Sequence, residues 1–192
     1  MSKTFCPLPW INVSVDTDGS VKPCCISTDY IKNNKGEKFN LGHNSIDEFY
    51  NSPDFVEIRH KMLTGQEVKG CSECYEQEKS GGQSQRMLYN NIWPLRLNFH
   101  ETVDKIKIKY FDLRFGNLCN LKCRSCHPLA STQLQKEVTE IGSSIQKYLP
   151  SLPDDFNNWY NTHTANNNIL SNIENLEVLY LAGGEPSVNY KE

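Results

Sequence analysis

Eight cysteines are the residues of this sequence whose type and spacing could do chemistry. Seven of them fall into close groups, and one stands alone. The groups are Cys24 with Cys25, Cys71 with Cys74, and Cys119 with Cys123 and Cys126, while Cys6 is the isolated residue. Random burial of small hydrophobic residues would not group them in this way, whereas thiolates are strong ligands for zinc and for iron–sulfur clusters. The spacing therefore predicts metal binding.

The run Cys119-Asn-Leu-Lys-Cys123-Arg-Ser-Cys126 has the form C-x3-C-x2-C. Three thiolates on one short loop suit a [4Fe–4S] cluster in which three irons receive cysteine and the fourth stays open to a small ligand. A structural zinc knuckle is one alternative. Because Cys123 to His127 also reads C-x-x-C-H, a c-type haem attachment is another, although it leaves Cys119 without a role.

The segments on either side of this loop predict a strand, a helix and a second strand. Residues 105–115 alternate apolar and polar side chains, and residues 176–181 form a second apolar run that Ala182-Gly-Gly-Glu-Pro186 closes. Between them, a helix fits residues 128–149, and an asparagine-rich polar loop follows it. This order predicts a βαβ unit and hence a parallel sheet. The apolar face of that helix would use Leu134, Val138, Ile141, Ile145 and Leu149.

The N-terminal half predicts a β-hairpin and two helices. Residues 11–15 and 20–25 flank the turn signal Asp18-Gly19, so the second strand would bring Cys24 or Cys25 back towards Cys6. Capping signals at Ser45 and at Ser52-Pro53 predict the two helix starts, the second helix burying Phe55, Ile58 and Met62. Gly81-Gly82 would interrupt a further helix, and Trp93-Pro94 marks the expected domain junction.

Five thiols in this half exceed the usual set of four ligands. Neighbouring side chains on a strand point to opposite faces, so Cys24 and Cys25 are not expected to share one metal. We favour Cys24 because Pro23 and the turn place it nearer Cys6, and we keep Cys25 as the alternative. Gly70 precedes Cys71-Ser-Glu-Cys74, a tight knuckle that would aim two thiolates at one metal.

The three-cysteine loop after a strand, and the Gly-Gly-Glu-Pro element at the end of the next strand, resemble the signature of the radical S-adenosylmethionine (SAM) superfamily. The resemblance implies reductive cleavage of SAM to a 5′-deoxyadenosyl radical, which abstracts hydrogen from a peptide, protein or sugar substrate. It implies an external electron donor such as flavodoxin or ferredoxin, and no catalytic residue separate from the cluster. Ser125 stands where the family usually has an aromatic residue, which weakens the expected adenine contact. The implied cluster ligands are Cys119, Cys123 and Cys126, and the implied SAM contacts are Gly183, Gly184 and Glu185.

The stretch from Phe5-Cys-Pro-Leu-Pro-Trp10 to Cys74 is similar to the twitch or SPASM modules of radical SAM enzymes, which carry auxiliary [4Fe–4S] clusters. In those enzymes the module normally follows the barrel, whereas here it comes first. A structural zinc site with four thiolates is the alternative. An auxiliary cluster would relay an electron or anchor substrate, and four protein thiolates favour relay because no iron is left open. The implied ligands are Cys6, Cys24, Cys71 and Cys74.

We therefore expect an α/β fold: the start of a partial (β/α) parallel barrel, preceded by a small α+β cysteine-rich module with a β-hairpin. The expected domains are residues 1–95 and residues 104–192. The second is an incomplete catalytic core, since a parallel barrel needs roughly 200 residues. The competing hypotheses are a non-catalytic zinc-binding or iron–sulfur electron-transfer protein, and a degenerate gene remnant that binds clusters without turnover.

Charge and hydrophobicity exclude two classes of partner. The formal net charge of -3 gives no basis for bulk electrostatic binding of nucleic acid. No stretch approaches the roughly 20 apolar residues of a membrane helix, and the N-terminus does not read as a secretory or transit signal. We expect a cytoplasmic protein with neither a membrane nor a nucleic-acid partner.

Overall fold

The computed structural model describes residues 2–94, 107–142 and 156–189. The helices are α1 (Leu8–Ile11), α2 (Ile46–Tyr50), α3 (Pro53–Thr64), α4 (Ser72–Lys79), α5 (Gln85–Ile92), α6 (Thr132–Ile141) and α7 (His163–Leu170). The strands are β1 (Asn12–Val15), β2 (Val21–Lys22), β3 (Tyr110–Arg114) and β4 (Val178–Ala182). Short 3-10 segments occupy Lys69–Cys71, Pro128–Ala130, Trp159–Asn161, Ile173–Asn175 and Pro186–Asn189.

The strands form one open sheet in the order β2-β1-β3-β4. The predicted hairpin is present, since β1 and β2 pair antiparallel. Strand β1 also pairs in parallel with β3, and β3 pairs in parallel with β4, as the βαβ pattern predicts. The α/β class is thus confirmed, and the described residues form an open sheet rather than a barrel. The boundary between the two predicted domains stays a prediction, but the hairpin shares this sheet with β3 and β4.

The parallel pairing places functional loops at one edge of the sheet. Strands β1, β3 and β4 run in the same direction, so the turn at Asp16, the loop after Arg114 and the turn at Gly183 all leave the same edge. Ligands of parallel sheets bind outside the carboxyl ends of the strands. This edge is therefore where a site is expected.

The hydrophobic core lies against one face of β1 and β3. Val13, Val15, Phe111 and Leu113 are all at most 1% exposed, and alternation along each strand puts them on the same face. The aromatic side chains of α2 and α3 complete the core: the Tyr50 and Phe55 ring centroids are 4.9 Å apart. This layer fixes the strands whose ends carry the functional loops.

Helices α2 and α3 begin where their capping residues predict. Ser45 and Glu48 form a reciprocal capping box at the start of α2. The Ser52 hydroxyl accepts a hydrogen bond from the backbone N–H of Phe55, and Pro53 occupies the first position of α3. The predicted buried face of α3 is confirmed, with its members Phe55, Ile58 and Met62 at most 9% exposed.

Three predicted elements differ in extent. Strand β2 ends at Lys22, so Cys24 and Cys25 lie in a turn rather than on a strand. Strand β3 begins only at Tyr110, although the start of the predicted alternating strand, 105–106, lies outside the described residues. The predicted 128–149 helix begins at Thr132, after a 3-10 segment, and its described part ends at Ile141, which is 64% exposed.

Helix α7 replaces part of the polar loop that the sequence predicts. Its asparagine-rich residues have low helix propensity, so tertiary contacts must hold it. The buried Asn168 side chain accepts a hydrogen bond from Ile46 N at 3.1 Å and donates to the carbonyl oxygens of Leu41 and Asn44. The Thr162 hydroxyl caps the first turn. Among the described residues, no helix combines the length and the hydrophobicity that a membrane crossing requires.

Candidate metal sites and the adjoining cavity

The structure brings four of the five N-terminal thiols together. Cys6 precedes α1, Cys24 lies in the turn after β2, Cys71 ends a 3-10 segment and Cys74 lies in α4. Burial raises the pKa of the Cys6 thiol, and the neighbouring Cys24, Cys71 and Cys74 thiols raise it further. Burial also raises the pKa of Cys24 to about 11 and that of Cys71 to about 12, with Cys74 adding to both shifts. Cys6, Cys24 and Cys71 are therefore each desolvated and each have other cysteine thiols as neighbours.

Cys25 has different neighbours, although it follows Cys24 directly. Its pKa is raised first by burial and then by the Asp112 carboxylate, while the Arg114 guanidinium lowers it. Cys25 is thus next to the polar end of β3, and Cys24 is next to the other thiols. The strand-alternation argument for separating them was wrong because both lie in a turn, but the structure does separate them.

Close backbone packing holds the knuckle against the Cys24 turn. A Cβ atom on Gly70 would lie 2.8 Å from the Ser27 hydroxyl oxygen, so only glycine fits without movement. Thr28 N donates to the Gly70 carbonyl oxygen, and Ser27 N donates to that of Cys24. The missing side chain at position 70 therefore allows the segment that carries Cys71 to lie close to the turn that carries Cys24.

Helix α5 holds the segment that carries Cys6. The Arg86 guanidinium and the Asn90 amide both donate to the Phe5 carbonyl oxygen, each at 2.9 Å. Arg86 is itself held by an ion pair with Glu78 of α4. The two helices that flank the predicted Gly81-Gly82 break thereby fix Cys6 beside the knuckle.

The three-cysteine loop follows β3 and is anchored by hydrogen bonds to its own backbone. The Thr132 hydroxyl donates to the Cys119 carbonyl oxygen at 3.0 Å and accepts from Cys119 N at 3.2 Å. Asn117 N donates to the Asn157 side-chain oxygen at 2.8 Å. Cys119 and Cys126 are partly buried and Cys123 is exposed, so the thiols lie at the surface end of the loop.

The glycine turn after β4 packs directly on this loop. Gly184 adopts φ +58°, and a Cβ atom there would lie 2.2 Å from the Leu118 carbonyl oxygen. Glu185 N donates to that same carbonyl at 2.8 Å. The Glu185 carboxylate accepts from the Ser187 hydroxyl and backbone N–H, which closes the turn locally. The two motifs that the sequence singled out are therefore in contact.

A cavity of about 720 Å³ opens at this edge of the sheet. One side is formed by the cysteine loop and the glycine turn, and the other by the N-terminal half of the chain. Cys126, Gly183 and Gly184 line the first side, and Asp16, Tyr30 and Lys38 line the second. Arg114, at the end of β3, lies between the two sides. The cavity volume is within the range of small-molecule sites.

The cysteine-rich N-terminal segment is similar to a known family of domains. Residues 6–75 match the SPASM iron–sulfur cluster-binding domain. The match includes all five N-terminal cysteines and supports a relation to SPASM- and twitch-type radical SAM proteins. No curated protein and no solved structure matches the chain.

The chemistry of the donor set fits the cluster that a SPASM domain binds. Cys6 and Cys74 are buried and Cys24 and Cys71 are partly buried, and these four cysteines of the matched residues offer the four thiolates that a cluster takes. Within the described residues, no three or more histidine, cysteine, aspartate or glutamate side chains are arranged so that they could hold a metal ion. Of the three thiols of the 119–126 loop, that of Cys126 lines the cavity.

Sequence reasoning missed the second side of the cavity. Asp16, Tyr30 and Lys38 belong to the SPASM segment, and only the pairing of β1 with β3 brings them to the cysteine loop. Arg114 carried a usable signal, because a charged residue at the carboxyl end of a parallel strand is typical of a functional position.

Proposed function

We propose that this chain belongs to a radical SAM iron–sulfur enzyme whose SPASM-type auxiliary site precedes the catalytic core. The observation that carries the proposal is the shared cavity. Cys126 of the C-x3-C-x2-C loop and the Gly183-Gly184 turn line it together, at the carboxyl ends of two adjacent parallel strands. A three-thiolate cluster and its SAM ligand require such a space beside the third cysteine.

The residues of this site have distinct tasks in the proposal. Cys119, Cys123 and Cys126 would hold a [4Fe–4S] cluster, and the backbone at Gly183, Gly184 and Glu185 would line the SAM position. When bound, the cluster and SAM supply the one-electron chemistry that generates a 5′-deoxyadenosyl radical. The chain supplies orientation: hydrogen bonds from Thr132 fix the loop, and the glycine turn limits the width of the cavity.

The SPASM segment would bind the auxiliary cluster through Cys6, Cys24, Cys71 and Cys74. Their mutual burial supports a site shielded from solvent, which suits electron relay better than exchange of an external ligand. Strand β1 places this segment in the same sheet as the cysteine loop, so a module that precedes the core can still adjoin it. We further propose a flavodoxin- or ferredoxin-type electron donor and a peptide, protein or sugar substrate.

Metal analysis of serine variants tests the proposal. After anaerobic reconstitution with iron and sulfide, the wild-type chain should hold about eight irons, four in each of two clusters. Cys123→Ser should lower the content to about four and leave the SPASM cluster, whereas Cys74→Ser should leave the loop cluster. Cys25→Ser is the matched control, because its thiol faces Asp112, and it should retain both clusters.

Three results would contradict the proposal. Zinc without iron would favour a structural metal protein, and a Soret band would favour haem at Cys123 and Cys126. If Cys123→Ser left the iron content unchanged, the 119–126 loop would hold no cluster. A fourth result would change only the ligand assignment. If Cys25→Ser lost iron and Cys24→Ser retained it, Cys25 would be the auxiliary ligand in place of Cys24.

A further inference from the structure

Arg114 presents unused hydrogen-bond donors to the cavity. Its Nη1 donates to the Val15 carbonyl oxygen at 3.4 Å, and its Nη2 lies 3.6 Å from Asp112 Oδ1. Both contacts are long, and a guanidinium carries five N–H donors. The side chain keeps 22% of its surface exposed and lines the cavity. Arg114 can therefore bind a further acceptor without losing its supports.

Asp112 supports Arg114 from inside the sheet. Its side chain is 1% exposed, and its Oδ1 accepts no hydrogen bond within the described part of the chain. Burial raises the pKa of this carboxyl group, while the Arg114 guanidinium and the Cys25 and Ser14 side chains lower it, so the guanidinium helps to compensate its charge. The pair fixes a cation at the carboxyl end of β3, where it borders both sides of the cavity.

Lys38 brings a second cation from the SPASM segment. Its Nζ lies 3.6 Å from the centroid of the Tyr30 ring, and no carboxylate pairs with it among the described residues. Tyr30 is also close to Arg114: burial and Asp16 raise the pKa of the phenol, and Arg114 lowers it. Lys38 and Arg114 therefore line the same cavity, and Tyr30 lines it as well.

The acidic residues at the rim are already engaged. Asp18 accepts hydrogen bonds from the backbone N–H and the hydroxyl of Ser20, both at 2.9 Å. Asp16 accepts from the Tyr30 hydroxyl at 3.0 Å. Asp16 also forms an ion pair with Lys22 at 3.8 Å, so a cation outside the cavity lining compensates part of its charge.

We propose that Arg114 and Lys38 bind a carboxylate of the molecule that occupies this cavity, with Asp112 as a positioning residue for Arg114. The planar guanidinium fork suits a carboxylate, and the ammonium adds charge. Two molecules could carry the group: SAM, if the proposed function holds, or a carboxylate-bearing substrate. The SPASM segment then forms part of the binding wall in addition to holding a cluster.

Binding of SAM and of its decarboxylated analogue distinguishes the first source. With reconstituted protein under anaerobic equilibrium dialysis, Arg114→Gln should weaken SAM binding about 10- to 100-fold, the range for a charge-assisted hydrogen bond. It should leave binding of decarboxylated SAM unchanged, and Arg114→Lys should restore part of the SAM affinity. Lys38→Gln should weaken SAM binding less, and Lys35→Gln, an exposed lysine outside the cavity lining, should have no effect.

Protection of Arg114 from phenylglyoxal, mapped by mass spectrometry, tests the second source and does not depend on bound clusters. Succinate at millimolar concentration should slow modification of Arg114 in the wild type, and Lys38→Gln should reduce that protection. Asp112→Asn should also reduce it, because Arg114 is then less fixed. If succinate protects Arg114 and Arg114→Gln leaves SAM binding unaffected, the carboxylate that Arg114 binds belongs to the substrate. Lack of protection by both succinate and SAM overturns the proposal, whether or not the loop binds iron.

Discussion

Replacement of Gly184 by alanine tests whether the glycine turn and the cysteine loop are packed as the structure has them. Gly184 has φ +58°, and its new Cβ would lie 2.2 Å from the Leu118 carbonyl oxygen and 2.8 Å from the carbonyl carbon. The left-handed backbone costs about 1–2 kcal/mol for a residue with a Cβ. Forcing backbone atoms apart adds about 1–3 kcal/mol. We therefore expect Gly184→Ala to lower the free energy of unfolding by about 2–5 kcal/mol.

Gly36→Ala separates the two contributions. Gly36 has φ +81°, but a Cβ atom there would meet nothing within 4 Å. This variant should therefore show only the backbone cost of about 1–2 kcal/mol. Urea unfolding followed by tryptophan fluorescence measures both variants. Equal losses for Gly184→Ala and Gly36→Ala would refute the contact between the glycine turn and Leu118.

Two further predictions concern buried side chains that hold the SPASM segment in place. Arg59 is 3% exposed and donates to the carbonyl oxygens of Pro9 and Tyr50, so Arg59→Ala should cost about 2–4 kcal/mol of unfolding free energy. Lys61→Ala removes only an exposed ion pair on the same helix and should cost under about 1 kcal/mol. Similar losses of unfolding free energy in Arg59→Ala and Lys61→Ala would contradict the burial of Arg59. Asn168→Ala leaves buried backbone groups without partners and should cost about 1–3 kcal/mol in the same urea assay, whereas the exposed Asn167→Ala should be nearly neutral.

Local chemistry in the sequence predicted the elements with strong caps. The capping box at Ser45, Pro53 at the start of α3, and the hairpin around Asp18-Gly19 all involve residues a few positions apart. The ligand set of Cys6, Cys24, Cys71 and Cys74, which the cysteine grouping predicted, stays a prediction. These signals succeed because the interactions that decide them are short in sequence.

The features that escaped prediction depend on distant residues. Helix α7 has weak intrinsic propensity and is held by hydrogen bonds from Asn168 to the segment around Leu41. The parallel pairing of β1 with β3 joins residues about a hundred positions apart, and no local pattern encodes it. Lys38 reaches the cavity only through that pairing, so the second side of the site could not be predicted from spacing.

Electron paramagnetic resonance of the reduced, reconstituted protein, with and without SAM, tests the central claim most directly. If the 119–126 loop holds a cluster with an open iron beside the cavity, SAM should change the spectrum of the wild type and of Cys74→Ser. The change should disappear in Cys123→Ser, because the proposed cluster of the SPASM segment would have four protein ligands and no open iron. A spectrum that SAM leaves unaltered, or a SAM response that persists in Cys123→Ser, would contradict the account.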